Sequence, residues 1–343
     1  MKLCITLGPG LQPTPYGDVV VLDWRDRRVV DEFRYRHAVY EQSHKGLCGA
    51  SWSGDHLLVA SEAELLEFHV APLRLKSART LNFLNDVHHI ASDSEHIWVC
   101  NTGLDCIEEL DAAWSPVETH HLVRPFGRDA TNVASLLYHD FRKSWKRLRG
   151  RYEHYTHLTK RPAFRNVVKL CRQDAYRRNG SELRFSDFRP HVLHPNHVLP
   201  VGNDLWITLW RTGEIVSLRQ ERVLLKDLGR PHDGIIANDK LYVTDCKENR
   251  LLVYDIRGQT PGGKLAEVRI TEHKQEGFLR GIAVGEGLIW VGLTSRRGAP
   301  TQFKTARIVA LDAQTLQRVD QWVVPSEYGM QIFSILNAER FYL

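Results

Sequence analysis

The sequence predicts an all-β fold, a six-bladed β-propeller that carries a basic, mainly helical insertion. Two observations carry this. Five segments of the chain overlay on one another in a common pattern, and repeats with periods of about 40 to 50 residues are the mark of propellers. Incomplete copies of the same unit stand at the two ends of the chain, each supplying what the other lacks.

The N-terminal stretches GDVVVLDW and RRVVDEF read as third and fourth strands without a first pair. The five overlaid segments follow: GLCGASWSGDHLLVAS from Gly46, DVHHIASDSEHIWVCN from Asp86, HPNHVLPVGNDLWITL from His194, RPHDGIIANDKLYVTD from Arg230 and FLRGIAVGEGLIWVGL from Phe278. Each has a small or polar start, a short apolar strand, a turn of Gly, Asn, Asp or Ser, and a second apolar strand. Third strands follow as CIEELD, EIVSLR, RLLVYD and RIVALD, and fourth strands as RVLLKDL, KLAEVRI and QRVDQWVV. Four antiparallel strands per unit make a propeller blade. The C-terminal QIFSILNAERFYL reads as a first pair of strands, so residues 330–343 are expected to close the ring against the N-terminal strands. The whole of 1–343 is then one propeller domain, with no place yet for MKLCITLG.

Residues 119–194 break the rhythm, and they are read as an insertion between blades three and four. NVASLLYHDFRKSWKRLRGRYEHY has apolar residues at helical spacing, with Asp129 and Thr131 before it as caps. The segment holds 17 Lys and Arg against 6 Asp and Glu, although the whole chain has a net charge of only +5. Three roles are open to it: a solvated scaffold, a dock for a protein partner or an anionic substrate, and the less favoured contact with nucleic acid.

Composition narrows the class. Apolar residues at 43% and charged residues at 25% suit a globular chain with a sizeable core. No long uncharged apolar window suggests a membrane span, and the first residues do not read as a secretory signal. The six cysteines form no C-x-x-C pair, which fits a reduced, cytoplasmic setting and free thiols packed as small hydrophobes. No Rossmann, P-loop, G-x-S-x-G or H-E-x-x-H pattern is present.

In a propeller the first strand of each blade lines the central channel, so equivalent residues of different blades converge. The position ten residues before the aligned aromatic is occupied by His88, Asn196, His232 and Arg280, and the next by His89, His197, Asp233 and Gly281. Neutral imidazoles suit Zn or Fe, so His89, His197 and His232 are the candidate ligands of a divalent transition metal. Asp233 is the candidate acid–base group, with Arg280 as a clamp for an anionic group and Asn196 and His88 as substrate contacts. Strand alternation implies that His88 and His89 do not both face the channel. The competing reading is that these polar residues only hydrogen-bond the turns where strands begin.

LNDVHHI, HPNHVLP and RPHDGIIANDKLYVTDCKENRLLVYDI resemble blades of six-bladed propellers of the NHL and gluconolactonase (senescence marker protein) type. The resemblance covers the five recognisable blades and excludes the insertion. Two versions of a site are implied by it. Peptidyl-hydroxyglycine amidating lyases hold zinc with three histidines from different blades, matched in type by His89, His197 and His232. Gluconolactonase-like enzymes hold a divalent cation with Asn and Asp of PNG and PDG motifs and an N-terminal Glu, and Asn196 and Asp233 resemble the first two. Asp233 is one residue out of register with Asn196, His197 replaces the Gly, and no N-terminal acidic residue stands out, so the histidine version ranks first. The expected function is a metal-dependent lyase or hydrolase acting on a small, polar, anionic molecule at the channel mouth. The alternative is a non-catalytic propeller that serves as a binding platform for a protein or RNA.

Overall fold

The computed structural model describes residues 1–9, 14–38, 45–81, 83–93, 95–122, 126, 192–258, 260–271, 273, 276–295 and 305–342. Its strands form six four-stranded antiparallel sheets, the blades of a six-bladed propeller. Blade one contains β1 (Lys2–Gly8), β2 (Tyr16–Asp23) and β3 (Arg28–Arg36). Blade two is β4 (Leu47–Ser53), β5 (His56–Ser61), β6 (Glu64–His69) and β7 (Arg74–Thr80). Blade three is β8 (His89–Ser92), β9 (His96–Asn101), β10 (Cys106–Asp111) and β11 (Pro116–His121). Blade four is β12 (Pro195–Val201), β13 (Asp204–Leu209), β14 (Glu214–Ser217) and β15 (Arg222–Leu225). Blade five is β16 (Pro231–Ala237), β17 (Lys240–Asp245), β18 (Arg250–Ile256) and β19 (Pro261–Arg269). Blade six is β20 (Phe278–Gly285), β21 (Leu288–Thr294), β22 (Arg307–Asp312) and β23 (Arg318–Val323), and β24 (Gln331–Asn337) returns to blade one.

Blade one corrects the sequence reading in one respect. Its strand order is β24-β1-β2-β3, so MKLCITLG is the second strand and the C-terminal stretch supplies only the innermost one. Residues Glu339–Phe341 form a short 3-10 turn rather than a further strand. Leu3 pairs with Asn337 and Gly8 with Gln331, so the ring is closed by backbone hydrogen bonds between remote parts of the chain.

The hydrophobic core is divided among the gaps between blades. Leu3, Ile5, Trp24, Trp290, Ile308 and Trp322 fill the gap between blades one and six, and Trp206, Leu241, Val243 and Leu252 that between four and five. Inner strands are apolar on both faces because a blade packs on each side of them. The outermost strands alternate: β3 is half-buried at Val29, Asp31 and Phe33 and exposed between them.

A polar contact recurs at the channel ends of the blades. Thr6 donates its hydroxyl to Cys48 O, Thr102 to Pro195 O, Thr208 to His232 O (2.8 Å) and Thr294 to Ile332 O (2.6 Å), and the Cys246 thiol donates to Leu279 O (3.0 Å). In each case the donor lies at or just after a blade's second strand and the acceptor lies on the innermost strand of the next blade. The contact gives each of these five main-chain carbonyls a partner.

The expected helical insertion lies outside the described residues, apart from its ends. Thr119–His121 belong to β11, and Val192–His194 lead into β12. Asp105, at φ 54°, gathers those ends. Its carboxylate accepts the backbone N–H groups of Val192 (2.6 Å), Leu193 (2.9 Å) and His194 (2.8 Å), and its carbonyl accepts that of Leu122 (3.1 Å). Five described cysteines are free and buried, and no described helix is long and apolar enough to cross a membrane.

Trp290 is fully buried and meets Trp24 edge-on at 6.0 Å across the closing gap. Replacing Trp290 with Ala is expected to cost about 3–5 kcal/mol, read as a lower urea midpoint.

Candidate functional site

The channel wall is made by innermost strands that share an irregularity. In blade five Pro231 pairs with Asp245 and the next pair is Gly234 with Val243, leaving His232 and Asp233 opposite a single residue. The same shift falls at Cys48–Gly49, at Asn196 and at Arg280–Gly281. In blade three both His88 and His89 face Cys100: the His88 N–H bonds Cys100 O, and His89 is its ladder partner. A β-bulge of this kind breaks the alternation of side chains. Two successive residues of one strand therefore reach the channel at different depths.

This corrects the expectation that only one of His88 and His89 faces the channel. The first positions line one pocket of about 300 Å³, formed by His88, Asn196, His232 and Arg280 with Lys45, Asp86, His194, Trp210, Cys246 and Phe278. The second positions line a smaller pocket of about 180 Å³, where His89, His197, Asp233 and Gly281 meet Ser51 and Ser334. His89 and His197 lie ring on ring, with centroids 3.7 Å apart and planes at 32°. His232 belongs to the other layer, 5.8 Å from His88, which in turn is 5.0 Å from His194. The structure thus brings His89 and His197 together and separates them from His232.

Asp233 links the layers. Its Oδ2 lies 2.9 Å from His232 Nδ1, accepts the Gly281 N–H at 2.9 Å and is 3.4 Å from the Thr244 hydroxyl. An ionised carboxylate only accepts, so Nδ1 of His232 carries the hydrogen and Nε2 of the neutral ring holds the lone pair. Nε2 is buried and has no hydrogen-bond partner. Gly281 suits this arrangement because its φ of 75° is costly for other residues. Gly49 is required for close approach instead: a Cβ there would stand 2.3 Å from the His89 Cα.

Electrostatics follow from burial. Desolvation alone pushes the Asp233 carboxyl up, but the His232 and His197 imidazoles and the Gly281 N–H outweigh it and hold its pKa at about 2. Burial lowers the imidazoles: His88 well below its usual range, helped by the Lys45 ammonium; His89 likewise, helped by His197; and His197 to about 4. Burial also lowers His232, although Asp233 pulls it back. Near neutral pH these imidazoles are therefore neutral and stand beside the ionised Asp233 carboxylate. Burial drives the Cys48 thiol up to about 12 and Cys246 higher still, so neither offers a thiolate.

The larger pocket has fixed charges. Lys45 pairs with Asp86 and donates to His88 Nε2. The Arg280 guanidinium lies 4.6 Å from the Phe333 ring centroid. Arg230 stacks on Trp210 at 4.4 Å, and Trp210 meets His194 at 5.2 Å. Asn196 is buried, and neither its amide nitrogen nor its oxygen has a partner.

Lys45, Asp86 and His194 escaped the sequence reading. The last had a signal, since Asp86, His194, Arg230 and Phe278 each stand two residues before the aligned channel position, making a third column. Lys45 had none, because it lies between blades. Among the described residues, Glu109, Glu118 and His120 form a group that could hold a metal ion, with ligand atoms all within 4.8 Å of one another. The channel imidazoles and carboxylates, as placed, form no such group of three.

No family model matches the sequence, and no curated protein does. Solved structures with a similar fold include a nidogen/laminin complex, with 12% identity, TM-score 0.54 and 98% of each chain covered. A luciferin-regenerating enzyme has 12% identity and TM-score 0.49, covering 84% of this chain and 78% of its own. A catalytically inactive virginiamycin B lyase from Staphylococcus aureus, solved with quinupristin, has 11% identity and TM-score 0.48, covering 94% and 85%. At 12% identity the likeness to the nidogen/laminin complex shows the propeller fold alone.

Two outcomes follow from the site's construction. The His197 pKa falls from 6.5 to about 4 on folding, so the unfolded chain binds that proton more tightly. Its stabilising contribution, complete above pH 6.5, is lost as the pH falls toward 4. Between pH 7 and 5 this amounts to about 2 kcal/mol, measurable by urea unfolding and reduced in His197→Gln. Asp105→Ala strands three backbone N–H groups at the start of β12, and is expected to cost about 3 kcal/mol in the same measurement.

Proposed function

We propose that the chain is an enzyme, a lyase or hydrolase, that performs acid–base chemistry on a small anionic molecule in the pocket of His88, Asn196, His232 and Arg280. One observation carries this reading: His232 is held by Asp233 in the tautomer that leaves a buried, unpartnered Nε2 in that pocket. A polar nitrogen kept dry and unpaired costs stability unless a ligand uses it.

The chemistry follows from the residues. His232 Nε2 is the base that takes a proton from a substrate carbon or from an attacking water, and Asp233 stabilises the imidazolium that forms. Arg280 and Lys45 attract a carboxylate or phosphate group, and Arg280 offers the planar fork that such groups favour. The Asn196 amide can donate to a carbonyl oxygen as charge develops on it. A pocket of about 300 Å³ admits a small metabolite and excludes a folded chain. A divalent zinc or iron ion on His89, His197 and His232 would need three ligand atoms at one point. These side chains, in two layers, do not supply that, so no step runs through a metal.

The experiment is a turnover screen over small carboxylate- and phosphate-bearing esters, lactones and acids with a leaving group beside an acidic C–H. His232→Gln is expected to lower kcat by about 10²–10⁴. Arg280→Met is expected to raise KM for the same substrate, and activity is expected to fall as acid protonates His232. Undiminished turnover in His232→Gln overturns the reading.

A further inference from the structure

A cluster of His and Glu side chains lies outside the channel, on β9, β10 and β11 of blade three. Glu109 on β10 is paired with Trp98 on β9 and with Glu118 on β11. Directly paired residues share a face of a sheet, and so do residues two apart on a strand. His96, Glu109, Glu118 and His120 therefore project from one face, and the diagonal pairs His96–Glu109 and Glu109–His120 are close enough to meet.

The side chains do meet. Glu109 Oε2 lies 2.8 Å from His120 Nε2, and its Oε1 lies 3.5 Å from His96 Nε2. Glu118 Oε1 is 3.7 Å from His120 Nδ1. The ligand atoms of Glu109, Glu118 and His120 all lie within 4.8 Å of one another, close to the spacing of about 3.3 Å between neighbouring ligand atoms around a tetrahedral zinc with bonds of about 2.0 Å. The Glu109 side chain is only 10% exposed, and its ionic partners are the two imidazoles. A buried carboxylate calls for positive charge beside it, and a divalent cation supplies that charge.

We propose that Glu109, Glu118 and His120 bind one Zn²⁺, with water completing its coordination, as a clip across β10 and β11, while His96 on β9 holds the second oxygen of Glu109. One imidazole and two carboxylates are ligands that zinc accepts, and the absence of thiolate from the set sets it apart from a Cys-rich zinc site. The clip fastens the strand that runs into Leu122, where Asp105 holds the chain at both Leu122 and Val192. It is independent of the channel chemistry, from which it differs in residues and position.

The test uses the full chain without a polyhistidine tag, stripped with chelator and titrated with ZnCl₂. One zinc per chain should bind and raise the melting temperature. Glu118→Ala and His120→Ala should each weaken binding by about tenfold or more, whereas His232→Gln should leave it unchanged. Glu109→Gln keeps the side chain's shape and removes its charge, so it should weaken zinc binding with the zinc-free melting temperature little altered. Co²⁺ in place of zinc should give visible ligand-field bands without a thiolate charge-transfer band. No zinc bound, zinc binding that survives the double Glu118→Ala/His120→Ala substitution, or zinc lost with His232→Gln alone would overturn the proposal.

Discussion

Asp233 is the point on which the channel depends. Its carboxylate is buried and gathers an imidazole N–H and a hydroxyl from its own blade and a backbone N–H from the next. Burial of a carboxylate is tolerated only when donors surround it, and these are supplied by the bulges of two blades at once. The bond to Gly281 fixes blade five against blade six at the depth where both turn their side chains inward. The bond to His232 fixes a tautomer. One group thus sets the packing of the wall and the chemical character of what the wall presents.

The bulges explain why so narrow a channel can hold so many polar groups. A regular strand offers one inward residue in two, so six strands at one depth would give six side chains. The extra residue in each innermost strand adds a second layer beneath the first, as His88 over His89 and His232 over Asp233 show. The recurring Thr or Cys contact between neighbouring blades satisfies carbonyls that this irregularity would leave stranded. Regular structure supplies the scaffold here, and its repeated interruption supplies the site.

Much of the fold was legible because its rules are local. Alternation, turn residues and, in four of the five segments, the Trp or Tyr of the second strand mark the blades from Gly46 to Leu293 without reference to one another. MKLCITLG was not legible as a second strand, because its partner β24 lies at the other end of the sequence and nothing local records that pairing. The site was legible in part. Aligning the blades selects His88, His89, Asn196, His197, His232, Asp233 and Arg280, all of which line the two channel pockets. Their division into layers was hidden, since a bulge is a fact of ladder register, and only Gly49 and Gly281 hint at it. The Glu109, Glu118 and His120 group was hidden for a related reason, because it needs the register of β10 against β11.

The closure of blade one also has a bearing on how the chain is made. β1, β2 and β3 leave the ribosome early, yet the innermost strand of their sheet comes only after five other blades have been synthesised. Until then β1 keeps an unpaired edge, and any extended segment of matching pattern can occupy it. Blades two to six can form from nearby residues, but the ring itself waits for a contact between the most distant parts of the sequence. Such contacts form slowly. Delivery of Gln331–Asn337 to β1 is therefore the step at which a half-built ring is committed to its native partner or lost to another chain.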